Sequence, residues 1–404
     1  MPFDPAQCLS QRTAAVEEAA ILRMAQKARD LKAAGRSIVS LTVGEPDFDT
    51  PAHIRTAAAE ALDQGYTHYA PVNGIPELKA AISKKLKDEN GLSYTPAEIV
   101  LSNGAKQSIT NTAFALLDEG DEVILLAPYW VAYEGIVRMA GGVPKVLKAS
   151  ADENFKVPAK RIAAALTDRT RFIIVNSPSN PTGAIWTRAE LEALAEVVSG
   201  HPKLMVLSDE IYEYITFEGT ALSFGSLPSM KERTVTVNGF SKGFAMTGWR
   251  LGFAAAPEPV AKAIGKIQGT FTAGANYFVQ RAALVALESD RSAVEDMRRQ
   301  YRARRDLVAR RLSAINGLVF SPPPGSFYAF PQVARYLGRT DPETGKAIAT
   351  VDQMSDWLLD RWGLATVPGS AFGDDTCIRL SFAASEAELD EGLTRLEQGL
   401  RSLV

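Results

Sequence analysis

Four short runs of the sequence carry residue types that handle anions, amines and protons. In Ser241-Lys242-Gly243-Phe244-Ala245-Met246-Thr247-Gly248-Trp249-Arg250, a lysine in an apolar setting is followed eight residues later by an arginine. A desolvated lysine has a lowered pKa and can serve as an amine nucleophile. An arginine offers planar, multi-donor recognition of phosphate. A lone lysine would read as structural, and Arg250 is what tips the reading. Ser208-Asp209-Glu210-Ile211-Tyr212 ends an apolar run in two acids. A buried carboxylate needs a cationic or donor partner; a pyridinium N–H would suit Asp209, and a helix-capping or surface acid is the plain alternative. Ser102-Asn103-Gly104-Ala105-Lys106 follows a short apolar run and opens a helical segment. Free backbone N–H groups and the helix dipole favour an anion there, although an ordinary strand-to-helix turn has the same look. Asn176-Ser177-Pro178-Ser179-Asn180-Pro181-Thr182-Gly183 fixes a turn and restricts the residue before each proline. Asn180 could present its amide at a fixed place, or simply belong to a Pro-rich turn.

The elements that must position these runs follow a rhythm. Apolar, often β-branched stretches occur at 99–101, 122–127, 172–175, 204–207, 234–237 and 251–256, and helical segments at 105–117, 130–140, 159–166 and 188–199 lie between several of them. The last opens with Thr187 and Glu190 at capping-box spacing. Strands alternating with helices predict an α/β domain with a mostly parallel sheet, whose ligands bind beyond the carboxyl ends of the strands. All four runs fall just after predicted strands. Upstream, helical composition covers 14–34 and 75–90, with a short apolar run at 38–43. Downstream, a long charged helix is predicted over 287–314, short strands near 318–320, 326–331, 364–367 and 376–382, and a last helix over 385–401. This part reads as a smaller α+β domain. The Arg-rich stretch at 298–311 alternates with acids, as a solvated helix face does.

Composition narrows the function classes. A chain of 404 residues with 46% hydrophobic and 23% charged residues has the material for two or three globular domains. A net charge of -3 gives no support for a nucleic-acid or anionic-membrane partner. Cys8 and Cys377 do not look like a disulfide framework, so a reducing compartment is expected. Residues 1–10 lack a basic and an apolar region, so no signal peptide is read, and no apolar stretch is long enough to span a bilayer. His53, His68 and His201 are scattered, so no metal site is expected.

Together the four runs supply an anion cradle, an amide donor, a carboxylate, and a lysine with an arginine. That set matches what pyridoxal phosphate requires. The sequence resembles the class I/II aminotransferases of fold type I, in the bacterial aspartate aminotransferase-like subgroup. Beyond those runs the resemblance rests on Leu41-Thr42-Val43-Gly44-Glu45-Pro46-Asp47-Phe48-Asp49-Thr50, Tyr69-Ala70-Pro71-Val72-Asn73-Gly74-Ile75-Pro76-Glu77-Leu78, Pro128-Tyr129-Trp130 and Cys377-Ile378-Arg379-Leu380-Ser381. Any one of these is weak to moderate; in this order and spacing they are highly specific.

The resemblance implies a fold and a set of roles. The fold is a large α/β domain over 49–286 with a mostly parallel central sheet, and a smaller α+β domain over 287–404 joined by an arm at 1–48. Lys242 would carry the cofactor as a Schiff base, then act as general base at the substrate Cα. Asp209 would pair with the pyridine nitrogen, Asn180 and Tyr212 would bond the phenolic oxygen, and Trp130 would stack on the ring. Gly104, Ala105, Lys106, Ser241 and Arg250 would hold the phosphate, with Tyr69 reaching in from the other subunit of a homodimer. The resemblance of the 270–280 segment also points to a dimer. Arg379 would clamp the substrate α-carboxylate, with Gly44 contributing backbone and Trp130 and Asn180 also touching substrate. The implied activity is ping-pong transamination between an L-amino acid and a 2-oxo acid such as 2-oxoglutarate or pyruvate, in the cytoplasm. A lyase or synthase of the same fold is the alternative; a non-catalytic, cofactor-binding regulator is a remote one. Relatives that accept aspartate often use a lysine where this chain has Phe114 or Thr13. Arg12 could substitute, Phe114 favours an apolar or aromatic donor, and Glu17 and Glu18 could favour a cationic one. Aspartate-type specificity is the first expectation, with aromatic or broad specificity beside it.

Overall fold

A computed structural model of the chain describes residues 3–14, 16 and 20–404. After a two-residue strand, β1 (Val39–Ser40), the chain builds its central sheet from β2 (Ile99–Ser102), β3 (Glu122–Ala127), β4 (Val143–Lys148), β5 (Thr170–Asn176), β6 (Met205–Asp209), β7 (Thr234–Gly239) and β8 (Gly252–Ala255). Four short strands follow: β9 (Tyr328–Ala329), β10 (Leu364–Ala365), β11 (Val367–Pro368) and β12 (Ile378–Ser381). The central order is β2-β8-β7-β6-β5-β3-β4, and only β8 runs against the rest.

The period of two along each strand explains the layers. Val123 and Leu125 of β3 pack on one face against the helices Ala105–Leu116 and Ala132–Met139. Ile124, between them, packs on the other face with Ile162, Leu191 and Leu194 of Ala159–Ala165 and Arg188–Ser199. Both faces are covered, so β3 and β5 carry continuous apolar runs, as parallel sheets favour, while β7 alternates valine with buried Thr234 and Thr236. The predicted capping box of Thr187 and Glu190 starts the second of these helices.

The C-terminal part packs β9, β11 and β12, in the order β11-β12-β9, against Ser292–Ser313, Val351–Trp362 and Glu386–Ser402. The segment after β1 returns to this part: Leu41 N–H donates to Ala365 O at 2.9 Å, and Ser381 N–H donates to Leu41 O at 2.8 Å.

Three expectations are corrected. The helix predicted over 287–314 is two, Tyr277–Glu288 and Ser292–Ser313. Asp290 Oδ1 accepts from Ser292 N at 2.8 Å, so a side chain competes for the backbone at the junction. The helical stretch read over 14–34 is observed as Gln11–Ala14 and Ala20–Ala33. β4 was not expected: it is an edge strand with Pro144 and two lysines, mostly exposed, and shows no apolar run.

Candidate functional site

The sheet fixes the site by direction. Ser102, Asn176 and Asp209 are the last residues of β2, β5 and β6, and Lys242 follows β7 by three residues. Because β8 is antiparallel, its beginning lies at that same edge, which brings in Arg250 just ahead of Gly252. A cavity of about 450 Å³ opens there. Gly44, Ala105, Lys106, Trp130 and Asn180 line it, as do Asp209, Tyr212, Ser241, Lys242, Arg250 and Arg379. Residues from the two ends of the sequence thus converge on the four central runs.

At one end of the cavity the turn before Ala105–Leu116 forms a cradle. Gly104 (φ +85°) leaves the helix without a side-chain cap, and the first helical residues, Ala105 and Lys106, line the opening. The Arg250 guanidinium lies against it: a Cβ on Gly104 would come within 2.7 Å of Arg250 Nη2. Arg250 is fixed by bonds to Thr247 O at 3.0 Å and Asn103 O at 3.4 Å. Lys106 Nζ sits 5.0 Å from the Trp130 ring centre, and burial followed by Arg250's charge lowers its pKa.

Asp209 is buried on the cavity floor. Burial pushes its carboxyl up to about 6, against a hydrogen bond from Tyr133 Oη at 2.6 Å and another from Ile211 N at 3.3 Å. Neither donor is a cation. Asn176 holds this floor, donating to Asp209 O at 2.9 Å and accepting from Asn180 N at 2.7 Å. Burial lowers Lys242 to about 8, opposed first by the nearby Glu45 carboxylate, and its Nζ donates to Gly44 O. Glu45 itself accepts from Thr247 Oγ1 at 2.8 Å.

Arg379, on β12, is 1% exposed. It donates to Thr42 O at 2.6 Å and to Asn180 Oδ1 at 3.1 Å, and its Nε has no partner among the described residues. Its guanidinium packs 4.5 Å from the Tyr328 ring centre and 5.0 Å from Phe372's. Tyr328 and Tyr212 share a hydroxyl–hydroxyl bond of 2.9 Å. A buried guanidinium with unused donors is prepared for a carboxylate.

Other expected residues lie elsewhere. Tyr69 is 91% exposed and outside the cavity. Phe114 is turned away, packing edge-on against Phe271 at 5.1 Å. Arg12 and Thr13 are exposed in the short helix Gln11–Ala14 and do not line the cavity. Glu17 and Glu18 lie outside the described residues. Several lining or supporting residues were missed. Tyr133 stands one helical turn beyond Trp130, a spacing that could have flagged it. Tyr328, Glu45 and the stripe Leu22, Ala25, Arg29 carry no local signal of a site.

The arrangement can grip an anion, present an amine, steady a positive charge and clamp a carboxylate. The comparisons agree with that chemistry. The family model "Aminotransferase class I and II" matches residues 36–396. A bifunctional aspartate aminotransferase and glutamate/aspartate-prephenate aminotransferase of Petunia hybrida is 45% identical, over 97% of this chain and 82% of that one. The crystal structure of the aspartate aminotransferase from Rhizobium meliloti is 40% identical with a TM-score of 0.95, over 98% of this chain and 99% of that one. That of Thermus thermophilus with maleate is 42% identical with a TM-score of 0.90, over 96% and 99%. With one family pattern running through nearly its whole length, and its fold superposing on solved members, this chain belongs to the class I and II aminotransferases.

Proposed function

We propose that the chain is a pyridoxal-phosphate-dependent aminotransferase that works as a homodimer in the cytoplasm and prefers acidic donors. Transamination itself follows from the family; the cofactor, the residue roles and the donor are this proposal. The observation that carries it is Asp209, a buried carboxylate whose own donors are a phenol and an amide, in the same cavity as an amine of lowered pKa. Such an acid suits a ring N–H⁺.

The residues fit the cofactor. The uncapped helix start at Gly104, with Ala105, Lys106, Ser241 and Arg250, would hold its phosphate. Trp130 would cover one face of the ring, and Asn180 and Tyr212 would bond its phenolic oxygen. Lys242 would hold it covalently through Nζ. When bound, pyridoxal phosphate supplies an electron sink for the pair left on the substrate Cα. Arg379 binds the substrate α-carboxylate and, braced by Thr42 O and Asn180 Oδ1, fixes the orientation of Cα. Lys242 Nζ, lowered to about 8, has the basicity to take the Cα proton near neutral pH. Asp209 stays ionised with help from the Tyr133 hydroxyl and steadies positive charge opposite it.

Tyr69, exposed and outside its own chain's cavity, is read as completing the partner subunit's phosphate site. Division into 1–48, 49–286 and 287–404 is part of the same proposal. Cytoplasmic placement rests on the two cysteines, which look like no disulfide framework; no helix among the described residues is long and apolar enough to cross a membrane. Names of relatives, together with maleate in the Thermus structure, favour aspartate and prephenate-type partners. The test is the visible spectrum of the purified protein with L-aspartate, L-phenylalanine or L-arginine added separately. A yellow protein bleached by one of them supports transamination and identifies the donor class. A yellow protein that answers to none points to lyase or synthase chemistry. One that stays colourless after added cofactor overturns the proposal.

A further inference from the structure

The N-terminal helix Ala20–Ala33 divides its surface between two tasks. Met24, Ala28 and Leu31 pack against Leu359, Ala365 and Ile38. Lys27 Nζ pairs with Asp356 at 2.8 Å and Asp360 at 2.9 Å. These contacts set the helix's rotation. The neighbouring stripe, Leu22, Ala25 and Arg29, spaced three and four residues apart, then faces the cavity. Leu22 and Ala25 make that wall apolar, and Arg29 puts a cation on it.

Arg29 is exposed and pairs with no acid among the described residues. Among the described residues its hydrogen bond goes to the neutral Gln26 Oε1, at 2.5 Å. Of the other charges of the cavity, Glu45 accepts from Thr247, Arg250 is tied into the cradle, Arg379 is tied to Thr42 and Asn180, and Lys106 lies over the Trp130 ring beside the cradle. Arg250, with Lys106, would meet a phosphate, and Arg379 an α-carboxylate. One guanidinium remains for a third anion. We propose that Arg29 is a specificity-determining residue that binds the distal carboxylate of acidic amino-acid and 2-oxo-acid substrates. The inference rests on the reading of the cavity as an aminotransferase site and assigns the end of the substrate which that reading left open.

The experiment measures dissociation constants of two unreactive acids on the yellow holoenzyme by calorimetry: succinate, with two carboxylates, and butyrate, of equal length with one. Arg29→Gln is expected to weaken succinate on the order of 10- to 100-fold, the range of a charge-assisted hydrogen bond, and to move butyrate less than about twofold. Arg29→Lys recovers part of the succinate affinity, because the charge returns without the fork. For L-aspartate, Arg29→Gln raises KM more than it lowers kcat. Arg302→Gln, altering an exposed arginine outside the cavity, serves as the control. Succinate and butyrate weakened alike, or neither weakened, overturns the assignment of Arg29 while the yellow colour and turnover keep the enzyme reading. A protein that never binds the cofactor overturns both.

Discussion

Replacing Tyr133 by Phe removes one oxygen and little else. The ring that meets Trp130 edge-on at 5.4 Å stays, and Asp209 loses its 2.6 Å donor. A hydrogen bond to a charged group contributes about 1.5–3 kcal/mol, and 1.36 kcal/mol corresponds to about one pKa unit. Tyr133 is the leading influence holding the carboxyl down against burial, so its loss moves Asp209 upward, never downward. From about 6, the carboxyl of the free enzyme would rise by about one to two units, leaving roughly a tenth to a half of it ionised at pH 7. If the ionised form is what catalysis uses, kcat/KM at pH 7 falls about twofold to tenfold, and the acidic limb of its pH profile moves up by about one to two units. Steady-state kinetics across pH 5–9, with L-aspartate well below KM, reads both. An acidic limb that stays in place, with kcat/KM unchanged, would refute the view that Asp209 works as an anion steadied by Tyr133. A kcat/KM loss without movement of the limb would assign Tyr133 to packing.

Other perturbations test the remaining parts. Lys242→Ala should abolish both turnover and the imine absorbance band; retained activity would remove Lys242 from the chemistry. In the cofactor-free enzyme, Lys242 at about 8 is increasingly neutral as pH rises, so the rate of recombination with cofactor should climb about tenfold per unit and flatten near pH 8; a flat profile would contradict this. Arg379→Ala should raise KM for every donor by about 10-fold or more while cofactor affinity changes far less, which equilibrium dialysis checks. Gly252→Ala would put a Cβ 2.5 Å from Ala105 N and 2.8 Å from Gly104 C, backbone atoms that cannot swing aside. It should loosen cofactor binding more than tenfold, by the same dialysis.

The cofactor end of the site was legible because it is local. Lys242 with Arg250, Asp209, and the Gly104 turn each sit where an apolar run stops, and the alternation of strands and helices placed those stops on one edge. Asn180 was legible through its prolines. The substrate end was less so. Phe114 was expected to speak for donor specificity by its place in the helix, yet it faces Phe271, because helical spacing alone does not say which side meets the cavity. Arg29 gave no signal, since an arginine among Gln26, Lys27 and Asp30 reads as a solvated face until Lys27's pairing with a segment over three hundred residues away sets the rotation. The helix Glu258–Phe271 was not read from sequence: Gly265 and Gly269 mark it as broken, but Gly265 lets it approach Asn73, where a Cβ would lie 2.7 Å from Oδ1. β4 was missed because an exposed edge strand has no reason to be apolar.

The backward course of β8 bears on the order of folding. β7 and β8 register Gly239 against Gly252, so Lys242 and Arg250 lie on one short excursion closed by a hairpin-like pairing. That closure spans a dozen residues and costs little chain entropy. Arg379 meets Asn180 across 199 positions, and Thr42 across 337. Local closures precede distant ones, so the excursion that carries Lys242 and Arg250 should close while Arg379 has yet to meet Thr42 and Asn180. Pulsed hydrogen exchange during refolding would then protect the amides of β7 and β8 before that of Ser381, whose partner is Leu41; simultaneous protection would argue that the two halves arise together. On this order a newly made chain would set the spacing of its amine and its phosphate-facing arginine before it could recognise an amino acid.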